Sequence, residues 1–430
     1  MKHLLKSAVV IILTLEAKIL LKRTKPTIVA VTGNVGKTST KDAIYHVLKD
    51  SFQARKSEKS YNSEIGVPLS VLGLHNAWSN PILWFRNIFN GLLQIIFPYN
   101  YPKILILEMG VDRPGDMKKL TSWIKPDIVV LTRLPEVPVH VEYFSSPEEV
   151  VKEKLVLVEA LKDNGILIFN NDDEQVRQAA TSIRQKSFSY SRYSLSDFYA
   201  NEDKIIYKDA KPVGIEFDIK NVDHEASFSL QNVVGTAHIY AITAAVAVAK
   251  LFDIDLPKAA DKLRDFEAPI GRMHIIPGVK NTTIIDDTYN SSPTALDRAL
   301  STLKEIKTTG HRYAVIGDML ELGRFSSEAH ISAGVQAYEC CDKLVTVGVR
   351  ARKVAEGALD AGMDEANILQ YDDSVSAGRE LQNLIQENDV ILIKGSQGMR
   401  MERIVTDIME EPEQADQLVV RQSKKWLAKG

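Results

Sequence analysis

The segment Thr32-Gly-Asn-Val-Gly-Lys-Thr-Ser39 constrains the fold of this chain more than any other stretch. It follows the β-branched run 26–32, which is typical of a buried strand, and it opens a stretch with helical composition. A strand, a glycine loop and a helix in this order bring backbone N–H groups and a helix N-terminus to one point, which suits a polyphosphate. The segment has the short form GxxGKT, because Val31 stands where the longer form GxxxxGK[ST] has glycine. A nucleotide-binding α/β domain is predicted.

The rest of the chain alternates short apolar runs with helical patterns. The runs 103–108, 127–132 and 165–169 are continuous, as expected of strands buried on both faces of a parallel sheet. The pattern restarts near residue 270, with runs at 282–286, 312–317, 343–347 and 389–394. We therefore predict an α/β fold in which a P-loop central domain with a mostly parallel sheet precedes a Rossmann-like C-terminal domain. The expected domains are an N-terminal helix at 1–25, a central domain at 26–270 with an aromatic insert at 78–101, and a C-terminal domain at 271–430.

Composition excludes several classes of protein. The chain has 430 residues, of which 45% are hydrophobic and 25% charged, as in an ordinary globular protein. Its formal net charge of −3 does not favour nucleic-acid binding. The two cysteines, Cys340 and Cys341, are adjacent, so neither a disulfide framework nor a structural zinc site is expected. A reducing, cytoplasmic location fits best.

The first 25 residues combine an apolar run with an excess of basic residues. The basic residues are Lys2, Lys6, Lys18, Lys22, Arg23 and Lys25. Glu16 is the only acid, and a full span of about 20 apolar residues would have to bury it or a lysine. We favour a basic amphipathic helix on the inner membrane surface. Packing on the body of the protein and a true membrane span are the alternatives.

The stretch 78–101 is rich in aromatic residues and has a single charge, Arg86. Its apolar residues recur at helical spacing from 81 to 97, and Pro98 ends the pattern. Two interpretations remain open. The helix is either mostly core, or it forms a surface that joins the N-terminal helix at the membrane.

Five residues are candidates for chemistry with a nucleotide. Lys37 can reach the β- and γ-phosphates, and Thr38 can place a hydroxyl on Mg²⁺. Glu108 ends the strand 103–108, where an acid beside a P-loop is well placed to hold Mg²⁺. His140 and Lys154 taken alone would be an ordinary loop histidine and a solvated helix lysine.

Together with other segments, these residues resemble the Mur ligases, the ATP-dependent amide-bond-forming enzymes of peptidoglycan synthesis, and within them the branch that adds D-alanyl-D-alanine. The resemblance runs from residue 28 almost to the C-terminus. Its segments are Asn62-Ser-Glu-Ile-Gly-Val-Pro-Leu69, Glu108-Met-Gly110, His140-Val-Glu142, Lys152-Glu-Lys154, Asn170-Asn-Asp-Asp173, Gly271-Arg272, Asp286-Asp-Thr-Tyr-Asn-Ser-Ser-Pro293, Gly317-Asp-Met-Leu-Glu-Leu-Gly323 and Lys394-Gly-Ser396.

The resemblance implies ATP, two Mg²⁺ ions and a set of site residues. The implied nucleotide-binding residues are Gly33, Asn34, Val35, Gly36, Lys37, Thr38 and Ser39, with Arg272, Asp287 and Asn290 from the C-terminal domain. The implied metal-binding residues are Thr38, Glu108, His140 and Lys154, and the implied catalytic residues are Lys37, Glu108, His140 and Lys154. Lys154 matches a lysine that is carbamylated in the family, which requires a depressed pKa. Asn62 and Ser63 would face the acceptor substrate.

The function implied is the activation of a muramyl peptide carboxylate as an acyl phosphate, followed by its joining to D-Ala-D-Ala. Two alternatives remain: a Mur-type ligase with a different or lipid-linked acceptor, and a non-catalytic nucleotide-binding scaffold at the membrane. Family members carry a first domain that grips the uridine nucleotide, for which the 25 residues before the P-loop strand are too few. We therefore expect another mode of recognition or a partner that supplies it. The segment Gly235-Thr-Ala-His-Ile-Tyr-Ala241 lacks both asparagines of the family pattern Gly-x-His-Asn-x-x-Asn, and His238 is expected to substitute for one.

Overall fold

The computed structural model describes residues 2–58, 61–78 and 80–428, without the side chains of residues 2–6 and 425. The side chains of Lys2 and Lys6, which count toward the predicted basic helix, therefore lie outside the described part. So do Ser79 of the predicted aromatic insert and the terminal residues of the predicted first and last domains.

A nine-stranded sheet forms the first half of the fold. Its strands are β1 (Thr27–Thr32), β2 (Ala54–Lys56), β3 (Ile104–Glu108), β4 (Ile128–Leu131), β5 (Ile166–Asn170), β6 (Lys186–Ser191), β7 (Phe198–Lys208), β8 (Lys211–Lys220) and β9 (Glu225–Gln231). They lie in the order β2-β3-β1-β4-β5-β6-β7-β8-β9. Pairing is parallel from β2 to β7 and antiparallel in β7–β8 and β8–β9. The predicted, mostly parallel sheet is confirmed, and the antiparallel end was not predicted.

A six-stranded sheet forms the second half. Its strands are β10 (His274–Gly278), β11 (Thr282–Asp287), β12 (Arg312–Gly317), β13 (Lys343–Val347), β14 (Ile368–Tyr371) and β15 (Val390–Lys394). They lie in the order β10-β11-β15-β12-β13-β14, and only the edge pair β10–β11 is antiparallel. This sheet confirms the predicted second α/β unit.

Helices cover the sheets and connect their strands. They are α1 (Lys2–Thr24), α2 (Lys37–Leu48), α3 (Gly66–Leu72), α4 (Pro81–Ile96), α5 (Asp116–Thr121), α6 (Pro147–Glu159), α7 (Glu174–Thr181), α8 (Thr236–Lys250), α9 (Leu256–Leu263), α10 (Pro293–Glu305), α11 (Ser326–Cys340), α12 (Arg352–Asp360), α13 (Ser374–Leu384), α14 (Glu402–Ile408), α15 (Ala415–Leu418) and α16 (Lys424–Leu427). The predicted buried helix after residue 236 is α8, in which every residue from 238 to 249 is buried.

The sheet register brings the predicted site residues to one edge. Strand β1 lies between β3 and β4, with Val31 opposite Glu108 and Thr32 opposite Leu131. Every residue of β3 is buried, because helices cover both faces of the sheet there. The loop after β1 and the carboxylate of Glu108 therefore meet at the carboxyl edge, where open α/β sheets bind their ligands.

The N-terminal helix α1 packs on the body of the protein with one of its faces. Leu13, Ala17 and Leu20 are fully buried against α3 and α4. Glu16 is also buried, next to Gly91 of α4, and burial raises its pKa to about 7. Packing on the body is thus observed for this face, and contact of the helix with a membrane stays a prediction. Within the described residues, no helix is both long enough and apolar enough to cross a membrane.

Helix α4 matches the predicted helix at 81–97 but is not a core helix. The side chain of Asn80 caps its N-terminus by accepting hydrogen bonds from the N–H groups of Ile82 and Leu83. Only Asn87 and Gly91 of this helix are buried. The interpretation as a mostly buried helix is therefore wrong, because the apolar residues outnumber the positions that face α1 and α3.

Candidate active site

The glycine loop after β1 has the geometry of a phosphate-binding loop. Gly33 has φ 137°, and a Cβ atom there would lie 2.1 Å from Thr132 Oγ1, so the loop can approach β4 only with glycine. The N–H of Asn34 donates to the Arg133 carbonyl at 2.7 Å, which ties the loop to the end of β4. Gly36, with φ 85°, is the N-cap of α2, where the described side chains supply no cap. The first N–H groups of α2 therefore suit an anion.

Lys37 lies inside this loop. Its Nζ donates to the carbonyls of Gly33 at 2.8 Å and Asn34 at 3.2 Å. Burial lowers the pKa of Lys37, against the opposing attraction of Glu108, and the nearby Arg272 lowers it further. The ammonium thus occupies the place where a lysine would meet phosphate oxygens. The next residues, Thr38 and Ser39, are buried in the first turn of α2.

Glu108 is the centre of a buried polar cluster. Thr38 Oγ1 donates to its Oε2 at 3.0 Å, and Asn62 Nδ2 donates to its Oε1 at 3.1 Å. Lys41 Nζ lies 3.9 Å from Oε2, and the N–H of Glu108 donates to Ser57 Oγ at 3.2 Å. The structure therefore brings Thr38 and Glu108 together as predicted, and it adds Asn62, which was expected only to face the acceptor substrate. The sequence reasoning missed Lys41, although it lies one helical turn after Lys37, and it missed Ser57.

The two predicted substrate residues differ in their surroundings. The carbonyl of Asn62 accepts the N–H of Gly110 at 3.0 Å, so Asn62 is held from both its backbone and its amide. Ser63 is exposed, and its carbonyl accepts the N–H of Val67 at 2.9 Å. Of these two predicted substrate residues, Asn62 belongs to the cluster around Glu108 and Ser63 does not.

Lys154 lies on α6 and is 2% exposed, so it is not the solvated lysine that its position alone would indicate. Burial lowers its pKa to about 7, and the positive charge of Lys37 lowers it as well. Asp112 and Glu153 act in the opposite direction. Burial first, and the charge of Lys37 second, thus lower the pKa of Lys154 in the direction that carbamylation requires.

His140 contacts a residue from the second half of the chain. Its Nδ1 lies 2.7 Å from Glu321 Oε2, and its Nε2 lies 3.6 Å from Asp112 Oδ1. This contact lowers the pKa of Glu321. Glu321 belongs to the segment 317–323, to which the sequence analysis gave no role. In this structure His140 is therefore engaged by carboxylates, and it links the two halves of the molecule.

A cleft between the two sheets completes the site. It encloses about 580 Å³ including its open mouth, and its lining includes Val35, Gly36, Thr38, Ser39, Arg272, Asp287 and Lys394. Lys394 Nζ lies 2.6 Å from Asp287 Oδ2 and donates to the Asn290 carbonyl at 2.9 Å. The Arg272 guanidinium stacks 4.2 Å from the centre of the Tyr289 ring. Predicted residues of each half, among them Thr38 and Asp287, thus line one cleft. Lys394 is a further charged residue of this lining that the sequence reasoning did not assign.

His238 forms part of the cleft wall at the start of α8. Its Nε2 is paired with the Arg272 carbonyl at 2.8 Å, and Nδ1 has no partner in the described part of the chain. Burial lowers the pKa of His238 to about 4, so the ring is neutral at pH 7. A neutral imidazole with one unpaired nitrogen can form a hydrogen bond with a ligand, as an asparagine side chain would.

The oxygen donors beside the loop fit a magnesium ion bound together with a nucleotide. Within the described residues, no three His, Cys, Asp or Glu side chains group as a metal site. Mg²⁺ does not need such a group, because it commonly takes one or two carboxylates and completes its shell with phosphate and water. The Thr38 hydroxyl and the Glu108 carboxylate meet that requirement. Both side-chain atoms of Asn34 are buried without a partner in the described residues, which also suits a polar ligand.

Comparison with known proteins identifies the family. Residues 31–249 match the model described as the Mur ligase middle domain, which is more than half of the chain. The chain belongs to the Mur ligase family. Residues 271–397 match the model described as the Mur ligase, glutamate ligase domain. The predicted resemblance is therefore confirmed, and the chain is a ligase of this family.

Individual relatives agree with that assignment. The chain is 29% identical over 400 residues to the UDP-N-acetylmuramoyl-tripeptide–D-alanyl-D-alanine ligase of Bacillus subtilis strain 168, covering 92% of this chain and 79% of the relative. Among solved structures, MurF of Acinetobacter baumannii has a TM-score of 0.76 at 23% identity, covering 93% of this chain and 80% of that one. MurF of Thermotoga maritima in complex with ADP has a TM-score of 0.76 at 24% identity, covering 94% and 84%. The two structures show that the fold of this Mur ligase is that of MurF.

Proposed function

We propose that this Mur ligase joins D-alanyl-D-alanine to a muramyl tripeptide precursor, using ATP. The observation that carries the proposal is the convergence of Lys37, the Thr38–Glu108 pair and Lys154 at one sheet edge. The B. subtilis relative, named for this reaction, aligns with 92% of the chain. None of the relatives described above favours a different or lipid-linked acceptor.

The first step transfers a phosphoryl group. Lys37 gives up its hydrogen bonds to the Gly33 and Asn34 carbonyls and binds the β- and γ-phosphates of ATP instead. The N–H groups of the loop and of α2 donate to the same phosphate oxygens. The substrate carboxylate attacks the γ-phosphorus, so that a carboxyl oxygen–phosphorus bond forms and the bond to ADP breaks. The chain contributes position and positive charge, which is most of what such a transfer requires.

The second step forms the amide. The amine of D-Ala-D-Ala, having lost a proton, attacks the acyl carbon, and phosphate leaves from the tetrahedral intermediate. The acyl phosphate would hydrolyse in open water, so the cleft must exclude solvent during this step. Arg272, Asp287 and Asn290 lie on the side of the cleft that belongs to the second sheet, and closure would bring them onto the nucleotide.

Two Mg²⁺ ions are part of the proposal. Thr38 and Glu108 would hold the first ion, and His140 with a carbamylated Lys154 would serve the second. Bound Mg²⁺ would neutralise the charge that develops on the phosphates. His140 can take this role only by leaving Glu321, which lies 2.7 Å away.

We also propose a cytoplasmic location, where ATP is available, and a division of the chain at 25/26 and 270/271. The first boundary is supported by the end of α1 at Thr24 and the start of β1 at Thr27. The second is supported by the sheets, since β9 ends at Gln231 in the first sheet and β10 begins the second at His274. A separate partner for the uridine end of the substrate stays a prediction.

Product analysis by mass spectrometry tests the proposal directly. The purified protein is incubated with ATP, Mg²⁺, bicarbonate, a UDP-muramyl tripeptide and D-Ala-D-Ala, with L-Ala-L-Ala as the matched control substrate. A mass gain of one dipeptide, with one ADP per product, is expected only with the D-isomer. If no product forms while D-Ala-D-Ala and a membrane extract together stimulate ATP hydrolysis, the acceptor assignment is wrong. If neither reaction occurs, the ligase proposal itself fails.

A further inference from the structure

Helices α1 and α4 pack against each other, and each exposes apolar side chains that are here together called the α1–α4 apolar face. It is defined by Ile11, Leu15, Ile19, Ile82, Phe85 and Phe89. The exposed fractions are 68% for Ile11, 76% for Ile82 and 73% for Phe85. Single exposed apolar residues are normal on a protein. Two adjacent helices that both expose an apolar stripe indicate a surface that binds a membrane or another protein.

The helical spacing of these residues places them on the outer side of each helix, away from the core. Ile11, Leu15 and Ile19 follow each other at four-residue intervals, which places them on one stripe of α1. The opposite stripe, with Leu13, is fully buried. On α4, Phe85 and Phe89 form the equivalent outer stripe.

Hydrogen bonds from the inner sides of the helices hold α4 in place. Asn87 Nδ2 donates to the His75 carbonyl at 2.8 Å, and Gln94 Nε2 donates to the Leu72 carbonyl at 2.6 Å. Arg23 of α1 donates to the carbonyl of Ile95 at the C-terminal end of α4, at 2.6 Å. The outward direction of the aromatic side chains is therefore built into the fold.

The charges that α1 and α4 themselves expose are all positive. Lys18 and Lys22 are exposed beside the outer stripe of α1, and Arg86 is exposed on α4 directly after Phe85. Glu16 is the only acid in either helix, and it points inward against Gly91. No carboxylate of these helices therefore opposes an anionic surface.

We propose that the α1–α4 apolar face docks this ligase on the surface of an anionic phospholipid membrane. Apolar and aromatic side chains would enter the acyl boundary, while Lys18, Lys22 and Arg86 would meet lipid phosphates. A second copy of the chain fits less well, because a symmetric contact through this face would bring the same lysines and arginines of two copies together. The surface is separate from the P-loop cleft, so docking does not depend on the proposed reaction.

Vesicle co-sedimentation tests the docking. The full chain is mixed with vesicles of phosphatidylcholine alone or with one third phosphatidylglycerol, and bound protein is measured in the pellet. We expect binding to the anionic vesicles that falls at least tenfold in the double variant F85S/F89S, and similarly in K18E/K22E. The matched control L195S/V222S replaces two apolar residues that are 89% and 92% exposed elsewhere, and it should bind like the wild type. Binding should also weaken as salt is raised.

Several results would contradict the docking proposal. Wild-type protein that stays in the supernatant with anionic vesicles overturns the proposal, as does equal binding to both vesicle types. A dimer in light scattering that becomes a monomer in F85S/F89S, without vesicle binding, would assign the face to a second copy instead. Circular dichroism of each variant checks that it is folded. The variant K37A should retain full vesicle binding while losing ligase activity, which separates failure of docking from failure of the proposed function.

Discussion

Lys154 allows a prediction whose size follows from the structure. Carbamylation joins the neutral amine nitrogen to the carbon of CO₂ and releases a proton, so its rate follows the fraction of neutral amine. An ordinary exposed lysine has a pKa of about 10.4, and at pH 7.5 about one such side chain in 800 is neutral. Burial and the charge of Lys37 lower the pKa of Lys154 to about 7. At pH 7.5 roughly three quarters of Lys154 would then be neutral, an increase on the order of 600-fold.

Competitive labelling with cyanate measures this difference. Cyanate reacts with neutral amines and is small enough to follow CO₂ into a site, and tryptic peptides report each lysine by mass spectrometry. The reference is Lys152, which is exposed two residues away on the same helix. The ratio of labelling at Lys154 to labelling at Lys152 is independent of the reagent concentration. We expect this ratio to be constant below about pH 7 and to fall about tenfold per pH unit between pH 8 and 10.

A ratio that stays constant up to pH 10 would refute the reasoning, because both amines would then titrate alike. Incubation with ¹³C-labelled CO₂ should also give a carbamate resonance that is lost in Lys154→Ala and retained in Lys152→Ala. Lys154→Ala should be largely inactive, and a short carboxylic acid should restore part of its activity by replacing the missing anion.

Three further predictions concern the loop, the link between the halves and the α1–α4 contact. Lys37→Ala should lower kcat/KM at least a hundredfold, since the phosphates lose their cation, and near-normal turnover would contradict the site. Glu321→Gln should lower the Mg²⁺ concentration for half-maximal activity severalfold, because His140 loses its competing carboxylate; an unchanged value would show that His140 does not exchange partners. The pKa of Glu16 is raised from 4.5 to about 7, so unfolded chains release this proton first and stability should fall as pH rises through that window. Urea titrations should show this fall in the wild type relative to Glu16→Gln, and a constant difference between the two would argue against a buried carboxyl beside Gly91.

The parallel cores could be predicted from sequence because their strands are continuous apolar runs. The run 343–347 coincides with β13, and the run 282–286 falls one residue short of β11. Such runs are buried on both faces, so composition alone identifies them. The same reasoning placed Lys37, Thr38 and Glu108 together, since the carboxyl ends of neighbouring parallel strands share one edge.

The antiparallel end of the first sheet could not be predicted in this way. Strand β7 contains Glu202, Asp203 and Lys204 and is mostly half-exposed, so its composition resembles that of a loop. Its structure depends on pairing with β8, which a local pattern does not show. The contact between His140 and Glu321 was missed for a related reason, because each lies in an irregular segment and only the packing of the two halves brings them together.

The basic residues of the site share one feature that bears on how the enzyme could work. Lys37 is held by loop carbonyls and Lys394 by Asp287, and a ring nitrogen of His140 lies 2.7 Å from Glu321. The two lysines are paired with acceptors of the protein itself, which avoids the large cost of an unpaired buried charge. A ligand must therefore displace these acceptors. Its binding free energy at each residue is the difference between the interaction with the ligand and the interaction with the displaced acceptor. For Lys37 and Lys394 the exchange is local to one half of the molecule. For His140 it breaks a contact between the halves, so binding at this residue is the step that can couple occupancy of the site to their relative movement.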